Sequence, residues 1–283
     1  MRIVLTAICA FTLISCAHAR RGATSHNTAM DPKAQAEGYE VHDMKRPQPV
    51  VVTPGEPSTQ DKAGSAPSDA IVLFDGKNLS MWSTDKGETA KWTLVPGDHF
   101  EVKPHTGVMR TRDEFGDVQL HIEWREHADV KGESQGRGNS GVFLMGLYEI
   151  QVLDNYGGHQ TYPDGSAGGI YGQYPPLANA SHKPGEWNFY DIIFHRAHQN
   201  ADKTISAPAR VTLLWNGVLV QDNMSLIGPT THKVLTSYPS DLPERGPLVL
   251  QDHGNVVDYR NVWLRQLPSE LPKPPVRSNG SEH

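Results

Sequence analysis

The sequence predicts an all-β fold, a jelly-roll sandwich of two antiparallel sheets, and three observations carry that prediction. Ten or so short runs between residues 71 and 267 alternate apolar and polar residues, as half-buried strands do. Gly, Asn, Asp and Pro separate the runs at close spacing and mark turns. No segment between them keeps a long helical period, so no helix layer is available to cover a sheet.

The runs follow in order. Ala70 to Phe74 is the first strand, and Asp75-Gly76-Lys77-Asn78 turns the chain after it. Lys91 to Val95 and Phe100 to Val102 flank Pro96-Gly97-Asp98, a hairpin signal. Gly107 to Thr111 is another short run. Val118 to Arg125 alternates strictly, with Leu120, Ile122 and Trp124 on one face and Gln119, His121, Glu123 and Arg125 on the other. Ser140 to Leu144 leads into Tyr148 to Asn155, where Tyr148, Ile150 and Val152 oppose Glu149 and Gln151. Trp187 to Phe194 and Ala209 to Trp215 are long strands. Asn216-Gly217 turns into Val218 to Val220. Gly246 to His253 and Val257 to Leu264 close the set. The stretch from Asn155 to Trp187 is aperiodic and rich in Gly, Pro and Tyr. A connection of that length is functional or disordered, and Tyr156, Tyr162, Tyr171 and Tyr174 argue against disorder.

The ends read differently. A positive start and the apolar run from Ile3 to Ile14 form a secretory signal over residues 1–19, too short to span a bilayer. Leu13-Ile14-Ser15-Cys16 has the form of a lipobox, which makes Cys16 a lipidated terminus. Ala17-His18-Ala19 offers ordinary cleavage instead. Either exit makes the protein exported, as a periplasmic protein or an outer-membrane lipoprotein, and any membrane contact runs through the lipid. Residues 20–68 form a Pro- and Ser-rich linker with too little apolar surface to fold, and residues 269–283 form a similar tail. One domain of 69–268 remains. With Cys9 and Cys16 the only cysteines, the domain has no disulfide. The net charge of -6, without a basic stripe, excludes nucleic acid as a partner.

Three clusters carry chemistry. Glu149, Gln151 and Asp154 set acidic and amide groups on one polar strand face, the arrangement that sugar-cleaving enzymes need. Their spacing resembles the E-x-D-x-x-E signature of laminarinase-type retaining glycosidases, with Gln151 in place of the central acid and Asp154 in place of the last. Arg137 and Asn139, in Arg137-Gly138-Asn139-Ser140-Gly141, can bind a sugar or an oxyanion, or form a plain turn. Gln251 and His253 share a face, with Gly254 beside them, and an imidazole titrating near neutral pH can move a proton. Glu123 joins the cleft if its strand lies beside Glu149; otherwise it belongs to an exposed charged face. The remaining histidines show no metal-ligand spacing, so no cofactor is called for, and a divalent cation on carboxylates and histidine is left open.

Seven motifs then agree in order. They are Leu73 to Leu79 with Trp82, Gly138 to Val142, Tyr148 to Asp154, Gly168 to Gly172, Gly185 to Asn188, Asn216 to Val218, and Leu250 to Gly254 continuing to Tyr259-Arg260-Asn261-Val262. Together they resemble the 3-keto-disaccharide hydrolase family over residues 70–267. Tyr259 stands where that family usually has Phe. The resemblance implies a concanavalin-like jelly roll and an exported bacterial enzyme acting on a small oligosaccharide or glycoside oxidised at C3. A C3 carbonyl acidifies the C2 hydrogen, so a base, an enolate-stabilising group and an acid for the leaving oxygen suffice for cleavage. Glu149 or His253 is then the base, with Asp154 a further catalytic candidate. Arg137 with Asn139 stabilises the enolate, Gln151 and Gln251 hold hydroxyls, and Tyr171 and Trp187 give ring contacts. A retaining glycosidase on Glu149 and Asp154, and a non-catalytic sugar-binding sandwich, are the competing readings.

Overall fold

A computed structural model describes residue 42 and residues 44–268. The signal segment, Cys16 and the 269–283 tail lie outside the described residues. Residues 51–268 fall within one compact unit.

Seventeen strands form among the described residues. They are β1 (Ile71–Phe74), β2 (Trp82–Thr84), β3 (Thr93–Val95), β4 (His99–Glu101), β5 (Met109–Thr111), β6 (Val118–Glu126), β7 (Ser140–Leu144), β8 (Tyr148–Val152), β9 (Asn188–His195), β10 (His198–Gln199), β11 (Ile205–Ala207), β12 (Arg210–Trp215), β13 (Val218–Ser225), β14 (Thr230–Thr231), β15 (Val234–Leu235), β16 (Val249–Leu250) and β17 (Val257–Gln266). An eight-stranded sheet runs β13-β12-β9-β6-β17-β4-β3, with β1 also paired to β17. A five-stranded sheet runs β2-β5-β16-β7-β8, and β10-β11 and β14-β15 are separate hairpins. Every pairing is antiparallel. The all-β jelly-roll sandwich is therefore as the sequence predicts.

The inner faces of the two sheets meet in one core. Leu120, Ile122, Trp124, Tyr190, Ile192 and Tyr259 come from the large sheet, and Met109, Val142, Ile150, Val152 and Leu250 from the small one. Polar tips of the core tyrosines cross the sandwich: Tyr190 Oη donates to the Gln151 carbonyl at 2.8 Å, and Tyr259 Oη donates to Ser140 Oγ at 2.7 Å. Burying a tyrosine with its hydroxyl satisfied keeps the apolar gain without an orphaned polar group.

Two departures from the sequence reading matter. The first is β8, whose five residues are all buried, Glu149 and Gln151 included. The aperiodic stretch folds back along its free edge: Gln151 N donates to Gly169 O, Gly168 N to Gln151 O, and Tyr171 N to Glu149 O. An edge strand read as half-exposed thus becomes a wall, because the long connection takes up its backbone groups.

The second departure is the linker. Its last part, residues 53–68, is a strap bound across the outer face of the large sheet. Ser68 N donates to Thr53 O and Ser65 N to Glu56 O, which closes the strap on itself. Gln60 pairs with the backbone of Trp187 in both directions, and Arg260 Nη2 donates to Thr59 O at 2.5 Å. Hydroxyl, amide and carbonyl groups hold this segment rather than apolar periodicity, so composition alone reads it as unfolded.

Candidate active site

The strand pair β7-β8 sets up the site. Its register places Gly141 opposite Gln151 and Phe143 opposite Glu149. A Cβ at Gly141 would lie 2.3 Å from Glu149 Oε1, so only glycine leaves room for that carboxyl group. Leu250 of β16 pairs with Val142, and the chain then carries Gln251 and His253 past the same end of β7. Asp252 points the other way and accepts from the backbone of Thr106 and Gly107, which fixes this loop. The β14-β15 hairpin closes the third side: Thr230 Oγ1 accepts from Glu149 N at 3.0 Å, and His232 Nδ1 lies 3.3 Å from Tyr171 Oη.

These elements enclose a cavity of about 170 Å³ lined by Asn139, Glu149, Gln151, Tyr171, Gln251 and His253 from the sequence-predicted set, joined by Gln135, Phe143, Thr230 and His232. Gln135 orients two of the amides. Its Oε1 accepts from Gln151 Nε2 at 2.9 Å, and its backbone carbonyl accepts from Asn139 Nδ2 at 2.7 Å. The nitrogen ends are thereby committed to the protein. The oxygen ends, Gln151 Oε1 and Asn139 Oδ1, are buried without a partner, and so is Gln251 Oε1. Buried acceptors without partners are uncommon and costly. Three around one cavity form a set of acceptors for a ligand rich in O–H donors.

Glu149 is 4% exposed and is the only carboxylate lining the cavity among the described residues. Among the described residues no Lys or Arg lines the cavity, and burial pushes its carboxyl up to about 8. At neutral pH the group is therefore mostly protonated and can donate a proton. His253 is exposed at the rim.

Four sequence-predicted residues stand elsewhere. Asp154 is 2% exposed and bound by Arg137 Nε at 2.5 Å, and Arg137 Nη1 donates to Val130 O. The pair anchors a loop and does not line the cavity, so neither Asp154 as a catalytic acid nor Arg137 as an enolate stabiliser fits. Asn139 also fails as an enolate donor, because its NH2 group is already used. Glu123 lies in the large sheet, not beside Glu149, and is held by Arg260, Asn261, Ser58 and His121. Trp187 is 1% exposed, with the guanidinium groups of Arg125 and Arg260 4.3 and 4.2 Å from its ring centroid. Register across the two sheets decides these placements, and strand alternation does not encode it.

Sequence reasoning missed Gln135, Thr230 and His232. Gln135 sits in the short 3-10 turn Ser134–Gly136, and the other two in a hairpin of two-residue strands. No periodic signal marks either place. The Tyr171 to His232 contact is the geometric tie that identifies the hairpin as part of the site.

Comparison with known proteins adds the lineage. A candidate glycosyl hydrolase from Parabacteroides distasonis has a similar structure, with 42% identity and a TM-score of 0.74 over 80% of this chain and 95% of that one. Two further candidate glycosyl hydrolases of that organism share the fold at 22% and 20% identity, each with a TM-score of 0.51. They cover 70% and 71% of this chain and 99% and 94% of theirs. No functionally curated protein matches the sequence. Residues 69–265 match the model of the 3-keto-alpha-glucoside-1,2-lyase-like domain, and the chain belongs to that family.

Proposed function

We propose that this protein cleaves 3-keto-glycosides by proton abstraction at C2, elimination at C1 and hydration of the product. The family and the candidate glycosyl hydrolases of similar structure support a glycoside-acting enzyme. The observation that carries the finer reading is the placement of Glu149, the only carboxylate lining the cavity among the described residues, beside three amide oxygens without partners, with burial favouring its protonated form. A retaining glycosidase needs a second carboxyl group about 5–5.5 Å away as nucleophile. Asp154, which the strand spacing offers for that role, is committed to Arg137.

The proton inventory closes with two groups. His253 takes the C2 proton that the C3 carbonyl has acidified. The C1–O bond breaks, and Glu149 gives its proton to the departing oxygen. The sugar is then an enone with a C1–C2 double bond. Glu149, now ionised, removes a proton from water as it adds at C1, and His253 returns a proton to C2. The sum is hydrolysis, with both groups restored. Asn139, Gln151 and Gln251 accept from sugar hydroxyls, and the Tyr171 ring and hydroxyl bound the site.

Paired aryl glucosides, one oxidised at C3 and one not, test the reading. Release of phenol from the 3-keto compound alone is expected. Release from the unoxidised compound alone would favour a conventional glycosidase, and binding of both without turnover would favour a sugar-binding sandwich.

A further inference from the structure

Away from the cavity, on the outer face of the large sheet, His99, Glu101 and Asp258 bring ligand atoms within 4.8 Å of one another. The sheet puts them there. His99 and Glu101 lie two apart on β4 and so share a face, and Glu101 is the register partner of Asp258 on β17. His99 is 7% exposed and Asp258 1%. His99 Nδ1 is engaged by Asp98 Oδ2 at 2.9 Å. That bond fixes the ring and turns Nε2 toward the two carboxylates, as a carboxylate does for a metal-ligating histidine. Nε2 stands 3.7 Å from Glu101 Oε1 and 3.6 Å from Asp258 Oδ2. Both separations are too long for hydrogen bonds. They are close to the spacing of ligand atoms each about 2.0–2.2 Å from a shared tetrahedral ion. His127 Nε2 borders the same space, 3.6 Å from Glu101 Oε1 and 3.1 Å from Asp258 Oδ1.

Charge points the same way. Asp258 has Arg125 at 2.7 Å, whereas Glu101 meets only imidazoles among the described residues. With Asp98 beside them, three carboxylates face one guanidinium. A dication would balance that excess, and the oriented Nε2 of this nearly buried histidine, which makes no hydrogen bond among the described residues, is the group left aimed at it.

We propose that His99, Glu101 and Asp258 bind a divalent first-row transition ion, with Asp98 as the orienting residue and His127 at the border of the coordination space. Mixed imidazole and carboxylate donors suit Zn²⁺ or Mn²⁺ rather than Ca²⁺. The ion would tie β4 to the start of β17, the strand that follows the His253 loop. This site is independent of the catalytic reading.

Chelator-stripped full-length protein, titrated with Zn²⁺ and with Mn²⁺ by calorimetry, tests it. One equivalent of at least one ion is expected to bind, with a rise in the melting temperature. His99→Ala and Glu101→Gln should each weaken binding about 100-fold or more, and Asp98→Asn about 10–100-fold. Melting curves of the stripped variants identify any that fail to fold; Asp98→Asn, which keeps all three ligands, carries the test in that case. No binding by the parent protein would overturn the proposal. So would undiminished binding in the folded variants, or binding lost in His253→Ala but kept in these, which would put the ion in the cavity.

Discussion

Glu149 and Glu123 are the same residue on strands of opposite sheets, both nearly inaccessible, and their surroundings are opposite. Glu123 is 0% exposed, and each oxygen is engaged. Arg260 Nε donates at 2.6 Å and Asn261 Nδ2 at 2.7 Å, with Ser58 and His121 completing the shell. Burial acts to raise its carboxyl, but the bonds from His121 and Ser58 and the Arg260 charge outweigh it and hold the group below its usual range. Glu149 has burial and nothing to offset it, so its carboxyl rises to about 8. A buried carboxyl that the fold has fully partnered is spent on structure. One left bare at a cavity holds a proton it can give away.

The first way to break this comparison is Glu149→Gln. Activity on a 3-keto-glucoside should fall about 10²–10⁴-fold, while stability holds or rises, because an amide folds without taking up the proton that the buried carboxyl needs. A variant with both near parent values would remove Glu149 from the mechanism. Glu123→Leu should do the reverse. It leaves Arg260 buried without its carboxylate and should cost about 3–5 kcal/mol in urea unfolding, with kcat per folded molecule little changed. Gly141→Ala sharpens the local claim. The added methyl group meets Glu149 Oε1, so kcat should fall about 10–100-fold through misplacement of the acid.

The smallest effect is in stability against pH. Glu149 and Glu126 are both pushed up to about 8 by burial, so between about pH 5 and 8 the folded state holds protons that the unfolded chain has released. Stability therefore falls as pH rises through that window. His121 adds to the trend: burial acts to lower it, but its bonds to Asp191 and Glu123 hold it at about 9, so its contribution is full below about 6.5 and lost as pH rises through 9. The parent protein should melt progressively lower from pH 6 to pH 9. Glu149→Gln should show a shallower slope, and an equal slope would mean that Glu149 is ionised at neutral pH.

The strands were legible wherever alternation runs for several residues, as in β6, β9, β12 and β17. β2, β10, β11, β14 and β15, of two or three residues, carry too few positions to show a period, whereas the equally short β3, β4, β5 and β16 were read from longer runs and the turn residues beside them. The site was legible in part for the same reason. Glu149, Gln151, Gln251 and His253 belong to or follow readable strands, whereas Thr230 and His232 arrive on a hairpin with no pattern. Glu123 was read correctly as facing away from the apolar side of β6. Which sheet β6 joins, and that Ser58 of the strap would cover it, depend on long-range pairing. The bulge in β17 shows why: Asn261, at φ 44°, breaks the alternation between Arg260 and Trp263 and brings its amide to Glu123.

Turnover of a 3-keto-glucoside in D2O tests proton abstraction at C2 most directly. His253 is exposed, so under the proposed mechanism a proton taken by it would exchange with solvent before one is returned. The mechanism predicts one deuterium at C2 of the released sugar, above the level in an enzyme-free control. Product that forms at full rate with hydrogen retained at C2 would contradict it and leave direct displacement at C1.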